Sequence, residues 1–173
     1  CVKHQTHFVE DEMTEAAKDI FPPNADVSIW DVMERCALSK DDEIALKRHT
    51  ESLGLIYLST PFSRSASDFL EDIGVPGFKI GSGEADNLPL IRHIAQKGKP
   101  VIMSTGMQTI DSVRNSVDIL EGAGTPSGHG CRARWSHRLA VDPPPELTGL
   151  ECHGSAPQNR EGDGSVALTV GRA

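Results

Sequence analysis

The feature that most constrains the fold of this chain is a strand-then-helix unit that recurs at nearly constant spacing. Short apolar runs typical of buried strands begin at Leu55, Gly77 and Val101, so the strand starts lie 22 to 24 residues apart. A further strand is predicted near residues 2 to 5. This alternation requires a mostly parallel sheet with right-handed crossovers, either an open doubly wound sheet or part of a (β/α)8 barrel. Spacing alone does not separate these two architectures.

Capping residues predict where the intervening helices begin. The residues with this pattern are Ser39 with Asp42, Ser65 with Asp68, and Asn87 with Pro89, and a further helix is predicted from about Thr109. The polar, acidic residues 9 to 35 are interpreted as an inserted loop, in which Glu10, Asp11 and Glu12 form a solvated face. Trp30 with its apolar neighbours instead fits a helix packing stripe.

Composition divides the chain near Gly124. All 11 Ile and all 7 Lys precede it, whereas residues 125 to 173 hold 7 of the 16 Gly and 5 of the 11 Pro and contain no Phe, Tyr or Met. Such a segment buries little apolar surface to offset chain entropy. We therefore predict a folded domain over residues 1 to 124 and an irregular tail over residues 125 to 173, either disordered or produced by a shifted reading frame.

Charge and hydropathy argue against two classes of function. The net charge of -8 has the wrong sign for a surface that neutralises nucleic-acid phosphates or anionic lipid. No apolar run is long enough to span a membrane, and the first residues lack the order of a signal peptide. We expect a cytoplasmic protein that binds neither nucleic acid nor membrane. Because the chain begins with Cys1 inside a strand-like run, we also expect a fragment of something longer.

Polar residues follow four predicted strands, at the edge where functional loops lie in either architecture. The segments are residues 3 to 7, 59 to 63, 79 to 84 and 104 to 107. Lys3 and Lys79, with several hydroxyls and glycine-rich turns, suit a phosphate or carboxylate, so the sequence predicts an anion site. The turn at Gly81, Ser82 and Gly83 is not a dinucleotide fingerprint, because the third glycine is missing.

Two histidines near the first strand are weaker candidates. In a strand, His4 and His7 would point to opposite faces, so at most one faces a pocket, and His4 is interpreted as a packing or surface residue. The histidines beyond residue 125 belong to the irregular tail and carry no prediction.

Further motifs join these segments into one ordered pattern. In chain order the pattern reads Lys3-His4-Gln5-Thr6-His7, Val9-Glu10-Asp11-Glu12-Met13, Asn24-Ala25-Asp26, Met33-Glu34-Arg35-Cys36-Ala37-Leu38, Ser59-Thr60-Pro61-Phe62-Ser63, Lys79-Ile80-Gly81-Ser82-Gly83-Glu84, Asn87, Pro89-Leu90, Gly98-Lys99-Pro100 and Ser104-Thr105-Gly106-Met107. Residues 2 to about 126 thereby resemble bacterial N-acetylneuraminate (sialic acid) synthases without evident gaps.

The resemblance implies an α/β fold, namely a partial (β/α)8 TIM barrel that covers about strands 2 to 5. It implies a C–C bond forming transferase that condenses phosphoenolpyruvate with N-acetylmannosamine and water, giving N-acetylneuraminate and phosphate. The family enzyme uses a divalent metal, Mn or Mg, and the resemblance suggests a homodimer. The metal-ligand histidines and the catalytic glutamate of the family have no counterpart in this chain, so no catalytic residue is assigned.

Site residues are carried over from the family position by position. The family residues that hold phosphoenolpyruvate match Lys3, Thr60, Lys79, Ser82 and Ser104, and a residue near the sugar matches Gln5. The chain departs from the family at His4, where an aromatic residue is usual, and this change should alter packing more than chemistry.

Two alternatives to an N-acetylneuraminate synthase stay open. The first is a synthase of a related nonulosonate, legionaminate or pseudaminate. The second is a non-catalytic remnant, because half a barrel leaves two open strand edges and an uncovered inner face. We therefore expect the 173-residue chain alone to be inactive and to fold poorly.

Overall fold

The computed structural model describes residues 1–125 and 167–170. The chain divides into two compact units, Cys1–Phe78 and Lys79–Ala173. This division leaves the predicted boundary near Gly124 untested, since most of the tail lies outside the described residues. No helix in the described part of the chain is long and apolar enough to cross a membrane.

The first unit alternates strands and helices as the sequence predicts. Its elements are β1 (Val2–Thr6), α1 (Val9–Glu12), a 3-10 helix (Glu15–Asp19), α2 (Ile29–Cys36), α3 (Lys40–Ser52), β2 (Tyr57–Pro61), α4 (Arg64–Asp72) and the first residue of β3 (Phe78–Ile80). The strands β1 and β2 run parallel, with Val2 opposite Tyr57, and β2 runs parallel to β3, with Ser59 opposite Phe78. The prediction of a parallel α/β sheet is confirmed.

The second unit continues the alternation. After Lys79 and Ile80 of β3 come a 3-10 helix (Ser82–Glu84), α5 (Leu88–Ala95), β4 (Val101–Ser104), α6 (Ile110–Gly122) and β5 (Ala167–Val170). Fully buried side chains, among them Ile91, Met103 and Leu120, supply its core. The strand β5 pairs antiparallel with β4, so it departs from the parallel pattern. The rest of the predicted irregular tail lies outside the described residues.

Two of the three predicted helix caps are confirmed. The side chains of Ser39 and Asn87 accept backbone N–H bonds at the starts of α3 and α5. The helix predicted from about Thr109 is α6, and Thr109 itself caps it. The third cap prediction is wrong, because α4 begins at Arg64 and is capped by Ser63, which accepts the Ala66 N–H at 3.1 Å. Ser65 already lies inside the first helical turn and donates its hydroxyl to the Asp11 carboxylate.

The interpretation of residues 9 to 35 as a loop is wrong in part. The segment contains α1, the 3-10 helix and most of α2, held together by a buried cluster of Val9, Ala17 and Trp30. The packing interpretation of Trp30 is confirmed, since its side chain is buried. Charged residues on the outer surface of this segment obscure its short apolar stripes, and helices this short give little periodicity to detect.

Candidate functional site

The two faces of β1 differ in their exposure to solvent. Lys3 and Gln5 lie on one face and are exposed, whereas Thr6 lies on the other face and is buried. Residues in register on parallel strands share a face, so Gln5 lies beside Thr60 of β2. Thr60 is buried. The structure therefore places three of the predicted site residues, Lys3, Gln5 and Thr60, on one face of the β1 and β2 pair.

The opposite face of this strand pair is tied to α3 by a buried carboxylate. Thr6 and Tyr57 both donate their hydroxyls to Oε1 of Glu43, at 2.5 Å and 2.8 Å. The hydroxyls of Thr6 and Ser59 lie 2.7 Å apart. Glu43 is only 2% exposed, so this network holds β1, β2 and α3 together while Lys3 and Gln5 remain on the other face.

Burial and the hydrogen bond to Glu43 raise the pKa of the Tyr57 phenol above its usual value of 10.0. A group with a raised folded-state pKa stabilises the fold fully below its unfolded pKa, and this contribution is lost as the pH rises further. Tyr57 is the only tyrosine in the chain. We therefore expect the tyrosinate absorbance near 295 nm to titrate at about pH 10 in urea but to rise at higher pH in the native chain. A native titration midpoint at or below the midpoint in urea would contradict the buried network.

His7 and Glu12 form a buried pair just beyond β1. Their side chains are 5% and 4% exposed, and His7 Nδ1 lies 2.8 Å from Glu12 Oε1. The His7 ring stacks on Phe62, with ring centroids 4.4 Å apart. The prediction of a solvated face is thus wrong for Glu12, whose carboxylate packs inward against an imidazole, although Glu10 and Asp11 are exposed. The sequence does not reveal this pair, because nothing in a run of acidic residues shows which carboxylate packs inward.

Lys79 and Ser104 are brought together in the second unit. Phe78 and Ile80 are buried on one face of β3, so Lys79 lies on the other face. Lys79 Nζ donates to Ser104 Oγ and to the carbonyl oxygen of Ile80, each at 2.6 Å. Ser104 is the last residue of β4. An ammonium group beside a hydroxyl at two strand ends is an arrangement that binds phosphate or carboxylate oxygens.

The third predicted residue of this unit, Ser82, lies in the turn that follows β3. Ser82 begins a 3-10 helix, and the Asn87 side chain donates to Glu84 Oε2 at 2.7 Å on the far side of this turn. From the loop after β4, Gln108 Nε2 donates to the Ser82 carbonyl at 2.8 Å. Gln108 was not predicted, because the sequence shows it only as a polar residue after Met107, with no pattern that marks a long-range contact.

The described residues offer no evident metal centre. Among the side chains of residues 1–125, no three His, Cys, Asp or Glu groups cluster closely enough to hold a metal ion. The histidines of the tail, His129, His137 and His153, lie outside the described residues. The divalent metal implied by the resemblance therefore stays a prediction, and no chemical step is assigned to it.

Comparison with families of known proteins gives one match that covers most of the chain. A model described as the NeuB family matches residues 1–133. N,N'-diacetyllegionaminic acid synthase of Legionella pneumophila is 37% identical over 92 residues, which cover 53% of this chain and 26% of that protein. Human N-acetylneuraminate-9-phosphate synthase is 34% identical over 83 residues, which cover 48% of this chain and 23% of that protein.

Solved structures give the same assignment for the fold. An N-acetylneuraminic acid (sialic acid) synthetase of Leptospira borgpetersenii, in complex with citrate, matches with a TM-score of 0.60 at 22% identity, over 70% of this chain and 39% of that chain. A spore coat polysaccharide biosynthesis protein E of Chromobacterium violaceum matches with a TM-score of 0.62 at 24% identity, over 70% and 35%. These likenesses confirm the predicted partial (β/α)8 barrel. The chain spans about a quarter to a third of the length of the curated relatives that it matches.

Proposed function

The chain belongs to the NeuB family, and from this membership we propose that it forms the phosphoenolpyruvate-binding part of an N-acetylneuraminate synthase. The whole enzyme would condense phosphoenolpyruvate with N-acetylmannosamine and water and would release phosphate. The cytoplasm is the proposed location, because phosphoenolpyruvate is a charged metabolite that does not cross membranes freely.

The hydrogen-bonded pair of Lys79 and Ser104 is the single observation that carries this proposal. The 2.6 Å bond holds an ammonium group and a hydroxyl at the ends of β3 and β4. A bound anion oxygen would replace or share this bond, so that Lys79 and Ser104 both donate to the ligand. Charge-assisted bonds of this kind are about twice as strong as neutral ones and suit a substrate with three negative charges.

The chemistry proposed for these residues is electrostatic. As the C–O bond to phosphate breaks, negative charge grows on the departing phosphate, and fixed donors such as Lys79 and Ser82 would stabilise that charge. Lys3 and Thr60 are proposed to contact phosphoenolpyruvate, and Gln5 is proposed to contact the sugar. The exposure of Lys3 and Gln5 on a common face of β1 supports their availability to ligands.

The identity of the acceptor sugar is the part of the proposal for which a second candidate exists. The Legionella relative, whose name specifies N,N'-diacetyllegionaminic acid, shares 37% identity over its matched segment, against 34% for the human N-acetylneuraminate-9-phosphate synthase. These two sequence identities are too similar to decide between the two sugars. A legionaminate or pseudaminate synthase is therefore the second candidate, and it would use the same phosphoenolpyruvate residues with a different aldose.

The proposal is tested with the full-length protein that carries this segment. Phosphate release should require both phosphoenolpyruvate and N-acetylmannosamine, with little release from either alone. The competing aldoses are the sugars that remain when the three carbons contributed by phosphoenolpyruvate are removed from N,N'-diacetyllegionaminic acid, from pseudaminic acid or from N-acetylneuraminate 9-phosphate. Faster turnover with one of these would replace the sugar assignment. No phosphate release with any of the aldoses would contradict the proposed activity.

The full-length enzyme is proposed to be a homodimer that needs a divalent metal, whereas the 173-residue chain should show no turnover. The reason is the family resemblance, in which the catalytic glutamate and the metal-ligand histidines have no counterpart in this chain. The same phosphate-release assay checks this prediction on the isolated chain. Measurable turnover by the isolated chain would contradict it and would also exclude the non-catalytic remnant.

A further inference from the structure

We propose that Gln108 is a positioning residue for phosphoenolpyruvate, which acts by fixing the backbone that carries Ser82. This inference rests on the proposed function and deepens it, because the resemblance assigns no role to Gln108. The geometry that points to it is the 2.8 Å bond from Gln108 Nε2 to the carbonyl oxygen of Ser82. The bond connects the loop that follows Ser104, the last residue of β4, to the turn after β3 that carries Ser82.

Both ends of the Gln108 amide are engaged. While Nε2 donates to Ser82, the Oε1 atom of Gln108 accepts a 2.8 Å hydrogen bond from the Ser112 hydroxyl at the start of α6. The backbone N–H of Gln108 also donates to the carbonyl of Thr105 at 3.0 Å. An amide that donates at one end and accepts at the other has only one orientation that satisfies both partners. Gln108 therefore joins α6 to the Ser82 turn as a directional link.

The contact would control where the Ser82 hydroxyl lies. A peptide unit is planar, so a hydrogen bond that fixes the Ser82 carbonyl also fixes the plane that follows Ser82. On the other side of the turn, the Asn87 side chain holds Glu84 at 2.7 Å. With both sides held, Ser82 is presented in one geometry before the ligand arrives. Such preorganisation lowers the ordering cost that binding must otherwise overcome.

Gln108→Glu is the sharpest variant, because it keeps the shape of the side chain and removes only the donor. At pH 7.5 the carboxylate would face the Ser82 carbonyl with no proton to donate, so we expect phosphoenolpyruvate to bind about tenfold more weakly to the full-length protein that carries this segment. As the pH falls towards 4.5, the carboxyl group gains a proton and can donate again. The ratio of the variant to wild-type dissociation constants should then shrink to about twofold. Because the variant and the wild type are compared at the same pH, the protonation of phosphoenolpyruvate affects both dissociation constants equally.

Two further variants distinguish a positioning role of Gln108 from a general loss of fold stability. Gln108→Met keeps the length of the side chain without any donor, so it should show the same loss of affinity but no recovery in acid. Gln96→Glu makes the same charge change at an exposed residue beside the end of α5, and it should leave affinity unchanged within about twofold. Urea unfolding of each variant shows whether the fold itself is altered. A purely structural role for Gln108 would move the urea midpoint and give no recovery of affinity with pH.

The outcomes distinguish this inference from the function on which it rests. If the wild-type protein binds phosphoenolpyruvate and Gln108→Glu binds it equally well at pH 7.5, the positioning role is overturned and the proposed function stands. If Gln108→Glu is weaker but does not recover in acid, the directional link is likewise overturned. If the wild-type protein shows no saturable binding at millimolar phosphoenolpyruvate, the proposed ligand fails, and the role of Gln108 in binding that ligand fails with it.

Discussion

Replacing Glu43 with alanine should lower the free energy of unfolding by about 3 kcal/mol, the largest stability effect that we expect from one substitution in the first unit. Oε1 of Glu43 accepts hydrogen bonds from both Thr6 and Tyr57, and the carboxylate is 2% exposed. Without it, the Tyr57 hydroxyl loses its buried acceptor, and the Thr6 hydroxyl keeps only the neighbouring Ser59 hydroxyl. Each unsatisfied buried polar group costs about 1–3 kcal/mol, and the removed side chain leaves a cavity as well.

The effect should depend on the acceptor rather than on the charge. Glu43→Gln keeps an oxygen that can accept from Tyr57, so its loss should be less than half that of the alanine variant. Glu51→Ala is the matched control on the same helix, because Glu51 makes a partly exposed ion pair with Lys47. Its loss should stay within about 1 kcal/mol. The measurement is urea unfolding followed by circular dichroism, and an alanine variant as stable as the wild type would contradict the network.

Replacing Lys79 with alanine should abolish measurable phosphoenolpyruvate binding, with an affinity loss of about ten- to a hundredfold. Lys79 Nζ is the charged group of the proposed site in the second unit, and it lies 2.6 Å from Ser104 Oγ. Removal of the ammonium group takes away one charge-assisted bond and leaves the anion beside a hydroxyl alone. A hydrogen bond to a charged group contributes about 1.5–3 kcal/mol, which sets the size of the effect.

A second substitution of Lys79 is needed that preserves the packing of β3. Lys79→Met retains the aliphatic stem and should lose affinity as fully as alanine does, with a smaller change in urea stability. Arg114→Ala is the charge control in the same unit, because it removes one positive charge from an exposed side chain that pairs with Asp111. Its affinity should change less than about threefold, as expected for a screened surface charge. Isothermal titration calorimetry with phosphoenolpyruvate gives the comparison, and unchanged binding by Lys79→Met would remove the anion site.

Local signals in the sequence predicted the elements of the fold well. The caps at Ser39 and Asn87 act within three residues, and the apolar runs at β2, β3 and β4 are contiguous, so neither needs knowledge of distant contacts. The cap of α4 was misplaced by two residues because Ser63 and Ser65 both have the right side chain. Which serine accepts the helical N–H depends on where the chain leaves β2, and that is a property of the fold.

The contacts that build the candidate site were harder to predict. Lys79 and Ser104 were predicted as members of one anion site, and the structure brings this pair into contact. Glu12 and Gln108 were not predicted, because their partners depend on how a loop turns rather than on any repeat in the sequence. The assignment of all six residues to ligands remains a prediction, namely Lys3, Gln5, Thr60, Lys79, Ser82 and Ser104.

The most direct test of the proposed function is to locate phosphoenolpyruvate on this segment. Titration of the ¹⁵N-labelled full-length protein with phosphoenolpyruvate, followed by amide resonances, reports which backbone positions of this segment respond. We expect saturable shifts at residues 79 to 84 and 104 to 108, and we expect Lys79→Met to lose these shifts. An absence of saturable shifts at these residues, or equal shifts in Lys79→Met, would contradict the proposal that this chain binds phosphoenolpyruvate through Lys79 and Ser104.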